Sequence, residues 1–251
     1  MRDRPLYHSF AWAYDLVVAR PGGPPAEAVA QALVGRGLKP GASVLDAGCG
    51  SGRYAAELAA AGFRATRVDR SPELIEVADS RGSGAHFDVG DLRDWSPAEP
   101  FHAAVCRGVL NDPITDKDRS AAVTGLRRAL RPGGVLVADV RDWEASVAHY
   151  RERPVFERVV DTPRGRLEFR SETTLEPETH TLRIRERIEL GNKGEPFDFA
   201  MRCWTAAELE AGFRATGFAD VEIPAADPAL KPARSDRIVA VALATEGLWG
   251  P

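Results

Sequence analysis

The chain has 251 residues, 33 of them Lys or Arg and 37 Asp or Glu, for a formal charge of −4, with 44% hydrophobic and 28% charged residues. That balance is ordinary for a soluble protein and gives no basic excess for a nucleic-acid footprint. The length allows one large domain, or a domain with an insertion, that buries roughly 70–75% of its unfolded surface. No apolar run approaches the ~20 residues of a membrane span, and Met1-Arg2-Asp3-Arg4 leads into aromatic, interrupted sequence rather than a signal peptide. A cytoplasmic protein is expected.

Residues 1–36 read as helices or a helical cap, broken by a Pro-Gly-rich stretch at Pro21 to Pro25. From residue 43, short apolar runs alternate with helical patterns, as in βα units wound into a parallel sheet. Strands are expected at 43–46, 65–69, 85–88, 101–106 and 135–140. Helices are expected at 54–61 with a stop at Gly62, from Ser71-Pro72 with a cap and an N1 proline, and at 118–130. Between 155 and 202 the period changes to two: Arg166-Leu167-Glu168-Phe169-Arg170 and residues 181–190 alternate charged with apolar, the pattern of half-exposed antiparallel strands. Thr205-Ala206-Ala207-Glu208 is a capping box for a helix to about Thr216, and strands near 219–223 and 237–244 complete seven. The expected class is thus α/β: a Rossmann-like, seven-stranded, mostly parallel sheet with a helical N-terminal cap (1–36), a core (37–145 and 203–251) and an antiparallel β insertion (146–202).

Two segments carry the chemistry. In Val44-Leu45-Asp46-Ala47-Gly48-Cys49-Gly50-Ser51-Gly52 an apolar strand enters a glycine turn, whose missing Cβ atoms let a ligand approach the backbone. In Thr66-Arg67-Val68-Asp69 a second strand ends on a carboxylate nineteen residues beyond Gly50, about the offset at which an acid meets a ribose diol. The glycines are spaced G-x-G-x-G, with Arg53 where the dinucleotide fingerprint G-x-G-x-x-G needs its last small residue. Ligands of open α/β sheets bind outside the carboxyl ends of strands, where Asp46, Asp69, Asp91 and Arg107 all fall.

These residues resemble the class I S-adenosylmethionine-dependent methyltransferases, of the small-molecule, glycine N-methyltransferase or amino-sugar N-methyltransferase type. Residues 44–52 resemble that family's first motif, Val68-Asp69-Arg70-Ser71-Pro72-Glu73-Leu74 the second, Gly90-Asp91-Leu92 the third, and Leu130-Arg131-Pro132-Gly133-Gly134 the loop before strand five. The resemblance implies S-adenosylmethionine as cofactor and S-adenosylhomocysteine as product. It implies that Asp46 and the turn Gly48, Cys49, Gly50 lie under the methionine part, and that Asp69, beside Arg70, accepts both ribose hydroxyls. Asp91 and Leu92 would hold the adenine, Arg107 and Gly108 would lie beside the methionine and methyl, and Tyr14 would be the aromatic of an N-terminal lid over the sulfonium. Each has a plainer reading: Asp69 as a cap of the next helix, Asp91 as a turn residue beside Asp88 and Asp94, Tyr14 as a core aromatic.

Methyl transfer from a sulfonium is an in-line displacement to which positioning can contribute ~7–11 kcal/mol. A general base is needed only for a protonated acceptor, and His8, Asp112, His149 and Tyr150 are the reachable types. Arg141, in Arg141-Asp142-Trp143, resembles an arginine that meets a substrate carboxylate in glycine N-methyltransferase-like proteins; Arg183, Arg185 and Arg187 read as a solvated face. The Asn-Pro-Pro-Tyr-type motif of nucleic-acid and protein amide enzymes is absent, Arg107-Gly108-Val109-Leu110-Asn111-Asp112-Pro113 standing in its place. A small-molecule acceptor methylated at nitrogen or oxygen, as in natural-product metabolism, is therefore expected, with neither nucleic acid nor membrane as partner. The insertion would form a substrate wall or a homodimer interface. Cys49, Cys106 and Cys203, odd in number and far apart, suggest buried thiols rather than disulfides or a metal site. Rival readings are a sulfonium-dependent rearrangement without methyl transfer, a nicotinamide oxidoreductase disfavoured by the glycine spacing and Asp46, and a binding module on the same scaffold.

Overall fold

The computed structural model describes residues 4–18, 23–81, 86–191 and 193–246. Part of the expected Pro-Gly break (residues 21 and 22) and the expected start of strand three (residue 85) lie outside them. Seven strands form one sheet: β1 (Ser43–Ala47), β2 (Arg64–Asp69), β3 (His86–Val89), β4 (Phe101–Arg107), β5 (Leu130–Arg141), β10 (Phe218–Glu222) and β11 (Arg237–Ala244). Their spatial order is β10-β11-β5-β4-β1-β2-β3. The five strands from β3 to β5 are parallel, β11 runs antiparallel to them, and β10, antiparallel to β11, runs in their direction again. The order reverses between β1 and β4, the switch point where an open sheet of this kind holds its ligand.

Both faces are covered. Leu45, Ala47, Val68, Ala104 and Cys106 point toward α5 (Asp116–Ala129) and α7 (Ala206–Ala215). Val44, Ala65, Ala103 and Val105 point to the opposite face, against α2 (Ala26–Gly35) and α3 (Arg53–Ala60). Alternate residues of a strand face opposite ways, so one strand serves two cores. Of residues 1–36, α2 belongs to this helical layer, whereas 4–17, with the short α1 (Tyr14–Val17), lie elsewhere.

The period-two stretch forms a second sheet of four sequential antiparallel strands: β6 (Val155–Thr162), β7 (Gly165–Glu176), β8 (Thr181–Leu190) and β9 (Lys193–Arg202). Its inner face packs in two places. Leu167, Phe169 and Ile188 meet Leu6, Phe10, Ala13 and Val17 of the N-terminal segment. Leu182 and Ile184 meet Trp143 and Cys203. The sequence reading did not foresee α6 (Trp143–Glu152), whose first turn is capped by Asp142 Oδ2 accepting from the Ala145 N–H at 2.8 Å. Nor did it foresee that β5 starts at Leu130: Leu130 pairs with Phe101 before a register shift, so the Arg131-Pro132-Gly133-Gly134 turn is taken into the strand. Among the described residues no helix is long and apolar enough to cross a membrane.

Candidate active site

The glycine turn and the end of β2 meet. Gly48, Gly50 and Gly52 all have positive φ, and a methyl group at Gly48 would lie 2.1 Å from Val109 Cγ2, so only glycine lets the two loops touch. Asp69 Oδ2 accepts the Gly50 N–H at 2.8 Å and Oδ1 accepts the Ser71 N–H at 3.0 Å. Ser71 Oγ in turn caps α4 (Pro72–Asp79) through the Leu74 N–H at 3.0 Å. These bonds orient the Asp69 carboxylate while leaving each oxygen a second lone pair. Burial pushes the Asp69 carboxyl above its usual value, against the pull of the two backbone donors. Cys49 is half-buried rather than buried as expected, because the turn holds it at the lip of the crevice; desolvation still pushes its thiol up.

Behind the turn, Asp46 is 3% exposed and its Oδ2 has no hydrogen-bond partner among the described residues. Burial raises its carboxyl to about 6, opposed by Arg107 and Arg67 and by the Ala55 N–H at the start of α3. The Arg107 guanidinium stacks on the Tyr54 ring, 3.9 Å from its centroid, and its Nε is likewise buried without a partner. Gly108, also at positive φ, donates its N–H to the Asp139 carbonyl at 2.9 Å.

The N-terminal segment crosses this crevice and is fastened on both sides. Asp15 accepts from Ser51 Oγ at 2.8 Å, in the glycine turn, and pairs with Arg81. At the other end, Arg4 pairs with Glu186 of β8 through Nε–Oε2 at 2.7 Å and Nη2–Oε1 at 2.5 Å. Arg4 also lies 5.0 Å from the Tyr7 ring centroid and 4.7 Å from that of Phe199. Ser71 Oγ donates to the Tyr7 carbonyl. The Tyr14 and Tyr7 rings lie 6.1 Å apart. Burial pushes the Tyr14 phenol up, and the nearby Asp69 and Asp112 carboxylates add to the shift.

Asp112 ends that loop. It is half-buried and its carboxylate makes no hydrogen bond with another described residue. Burial raises it to about 6, tempered by Arg70 and Arg4 and reinforced by Asp69 and Asp91. Arg70 itself lies 5.6 Å from the Tyr7 ring centroid. Asp112, Tyr7, Tyr14, Arg70 and Asp69 are therefore near enough for their charges to be felt by one another.

The remaining expected residues sit differently. Asp91 is held by Arg93 through Nε–Oδ1 at 3.0 Å and Nη2–Oδ2 at 2.7 Å, which holds its carboxyl below the usual range. Leu92 is 6% exposed and belongs to the core with Val68 and Leu110. Arg141 pairs with Asp236, itself 1% exposed and also bound by Arg234 at 2.8 Å. His149 Nε2 lies 3.3 Å from Arg234 Nη2. A guanidinium only donates, so Nε2 accepts and the ring is neutral; burial and Arg234 keep its pKa low. His149 and Arg141 thus form a cluster of their own, joined to the crevice through Asn111, whose Oδ1 accepts the Arg141 N–H at 2.9 Å. Sequence reasoning missed Arg4, Tyr7, Asp15 and Glu186. Their only signal was the aromatic run around Tyr14, because their pairing depends on how the cap meets the insertion.

Comparison with known proteins supports the geometry. Residues 44–134 match the model of the methyltransferase domain family. The chain is 34% identical over 110 residues to the malonyl-[acyl-carrier protein] O-methyltransferase of Serratia marcescens, covering 43% of this chain and 42% of that protein. It is 40% identical over 103 residues to the ubiquinone biosynthesis O-methyltransferase of Xylella fastidiosa (strain 9a5c), covering 38% and 40%. The chain thus spans about two fifths of the length of these curated relatives. The sugar N-methyltransferase KedS8 from Streptoalloteichus sp ATCC 53650 shares the fold over 96% of this chain and 93% of its own, with a TM-score of 0.74 and 22% identity. Residues 44–134 thus match a methyltransferase domain family, and the chain as a whole shares the fold of a solved sugar N-methyltransferase.

Proposed function

We propose that the protein transfers a methyl group from S-adenosylmethionine to a nitrogen or oxygen of a small molecule. The observation that carries this reading is the Gly50–Asp69 hydrogen bond, which aims a carboxylate with free lone pairs over the glycine turn. The residues fit the cofactor. Asp69 would accept the ribose hydroxyls. The unpartnered Asp46 Oδ2 and Arg107 Nε suit the ammonium and carboxylate of its amino-acid end, since buried polar atoms without partners are costly until a ligand supplies them. Bound there, the cofactor supplies an electrophilic methyl on a sulfonium.

The chain's own residues would do the rest. Tyr7 and Tyr14 would close the crevice and exclude water, and the inner face of the β insertion would wall the acceptor. Asp112 would take the acceptor's proton, freeing the lone pair that then forms the new bond to carbon as the carbon–sulfur bond breaks. A carboxylate with a pKa of about 6 suits an amine arriving as an ammonium, which it attracts as well as deprotonates. The chain's net charge of −4 favours a small acceptor over nucleic acid. Three unpaired thiols suit the reducing cytoplasm.

Calorimetric titration with S-adenosylmethionine, S-adenosylhomocysteine and NAD tests the reading. Micromolar binding of the two sulfur nucleosides without NAD is expected; binding of neither would sink it. Mass spectrometry of a product then separates transfer, which adds a methyl and releases S-adenosylhomocysteine, from rearrangement.

A further inference from the structure

A row of buried and half-buried charges crosses five adjacent strands, at the carboxyl ends of the four parallel ones and the amino end of β11, on the face covered by α3. Arg67 of β2 is the register partner of Asp46 of β1. Asp46 pairs with Val105, two residues before Arg107 on the same face of β4. Arg107 pairs with Asp139 of β5, and Asp139 accepts from Arg237 of β11 at 2.7 and 3.1 Å. The signs alternate from Arg67 to Arg237. The Arg237 end is closed by its two hydrogen bonds, and the Arg67 end is open. Arg67 is 0% exposed, and among the described residues none of its three guanidinium nitrogens has a hydrogen-bond partner. The guanidinium lies 4.8 Å from the Phe87 ring centroid and 3.4 Å from where a Gly52 Cβ would stand, beneath the glycine turn. A buried charge without hydrogen bonds persists only if something offsets its desolvation, and the acid next to it on the sheet is Asp46.

We propose that Arg67 is a positioning residue for the cofactor crevice, acting through Asp46, whose ionised state it maintains and whose free oxygen it thereby keeps as an acceptor. The assignment rests on the S-adenosylmethionine reading for its consequence but not for the Arg67–Asp46 coupling itself. The titratable groups near Asp46 are Arg67 and Asp69 from β2, Arg107 from β4, Tyr54 from α3 and Cys49 from the turn, with Cys106 of β4 on the other face of the sheet. Of these side chains only the two arginines favour its charge, joined by the Ala55 N–H.

The test is a double-mutant cycle of Arg67→Met and Asp46→Asn on the whole protein without ligand, by urea unfolding at pH 8 and pH 4, beside S-adenosylhomocysteine titrations from pH 5 to 8.5. The expected result is a coupling at pH 8 that vanishes at pH 4, where Asp46 is protonated. In the titrations, Arg67→Met should bind about two- to sixfold more weakly than wild type near pH 6, for a shift of half to one pH unit, and converge with it by pH 8.5. In the Asp46→Asn background Arg67→Met should leave the profile where it was. Additive stabilities at both pH values, or superimposed profiles, overturn the proposal. If Arg67→Met does not fold, Arg67→Lys decides: retaining the charge, it should keep the wild-type profile, and a profile displaced upward overturns the assignment. Absence of binding by wild type overturns the cofactor reading instead, and the unfolding cycle still judges Arg67.

Discussion

The Gly50 N–H and Asp69 Oδ2, 2.8 Å apart, join the two segments of sequence that define the crevice. The bond spans the β1–α3 turn and the end of β2, so Asp69 is aimed before any ligand arrives. Asp69→Ala removes both of the proposed ribose contacts, and bonds to a charged acceptor contribute about 1.5–3 kcal/mol each. S-adenosylhomocysteine affinity should fall at least tenfold by calorimetry. Unchanged affinity in a folded variant would place the nucleoside elsewhere.

Arg4 and Glu186 are 6% and 7% exposed and bonded twice, so the strap over the crevice is tied to the insertion by a buried ion pair. Removing one partner strands a buried charge, at about 3–5 kcal/mol, whereas replacing both by apolar side chains can be neutral. Glu186→Gln should therefore lower the urea midpoint strongly, and Arg4→Met with Glu186→Leu should recover most of the loss. Two single variants as stable as wild type would mean that the strap is not fastened there.

The sheet and the crevice were legible in the sequence because their signals are local. The alternation in residues 44–47 sets which face each side chain takes, the glycines set the turn, and the period-two run in 181–190 sets the second sheet. What was not legible arises where distant segments meet. Leu92 matches the motif that implies an adenine contact, yet its side chain is used in the core. His149 reads as a free base, yet its acceptor nitrogen faces Arg234, 85 residues away. Nothing in a single segment announces that Arg4 will find Glu186, or that Arg67 will be buried beside Asp46.

Gly48 and Val109 are in mutual contact across the crevice, and Gly48 also holds a φ of 72°. Gly48→Ala faces both a left-handed backbone, costing about 1–2 kcal/mol, and a clash with Val109 Cγ2. Adding Val109→Ala should relieve the clash but not the strain. The double variant is expected to be more stable than Gly48→Ala alone and less stable than Val109→Ala. A Gly48→Ala variant with wild-type stability and cofactor affinity would show that the turn can move freely.

Asp112 combines a function with a cost to stability. Its carboxyl is raised by burial from 3.8 to about 6, so the fold prefers the neutral form. A group raised in this way stabilises fully below its unfolded pKa, and that contribution is lost as pH rises through the folded value. The window is therefore about pH 4 to 6, and at pH 7.5 the ionised Asp112 costs up to about 3 kcal/mol. Asp112→Asn should raise the urea midpoint at pH 7.5 and leave it nearly unchanged at pH 3.5. With an amine acceptor the same variant should lose the acidic limb of the pH–rate profile near 6 and slow transfer about 10²–10⁴-fold, while binding S-adenosylhomocysteine as before. A variant that gains stability but keeps both its rate and its acidic limb would make Asp112 a buried acid with no part in proton transfer, and would leave positioning alone to account for the chemistry.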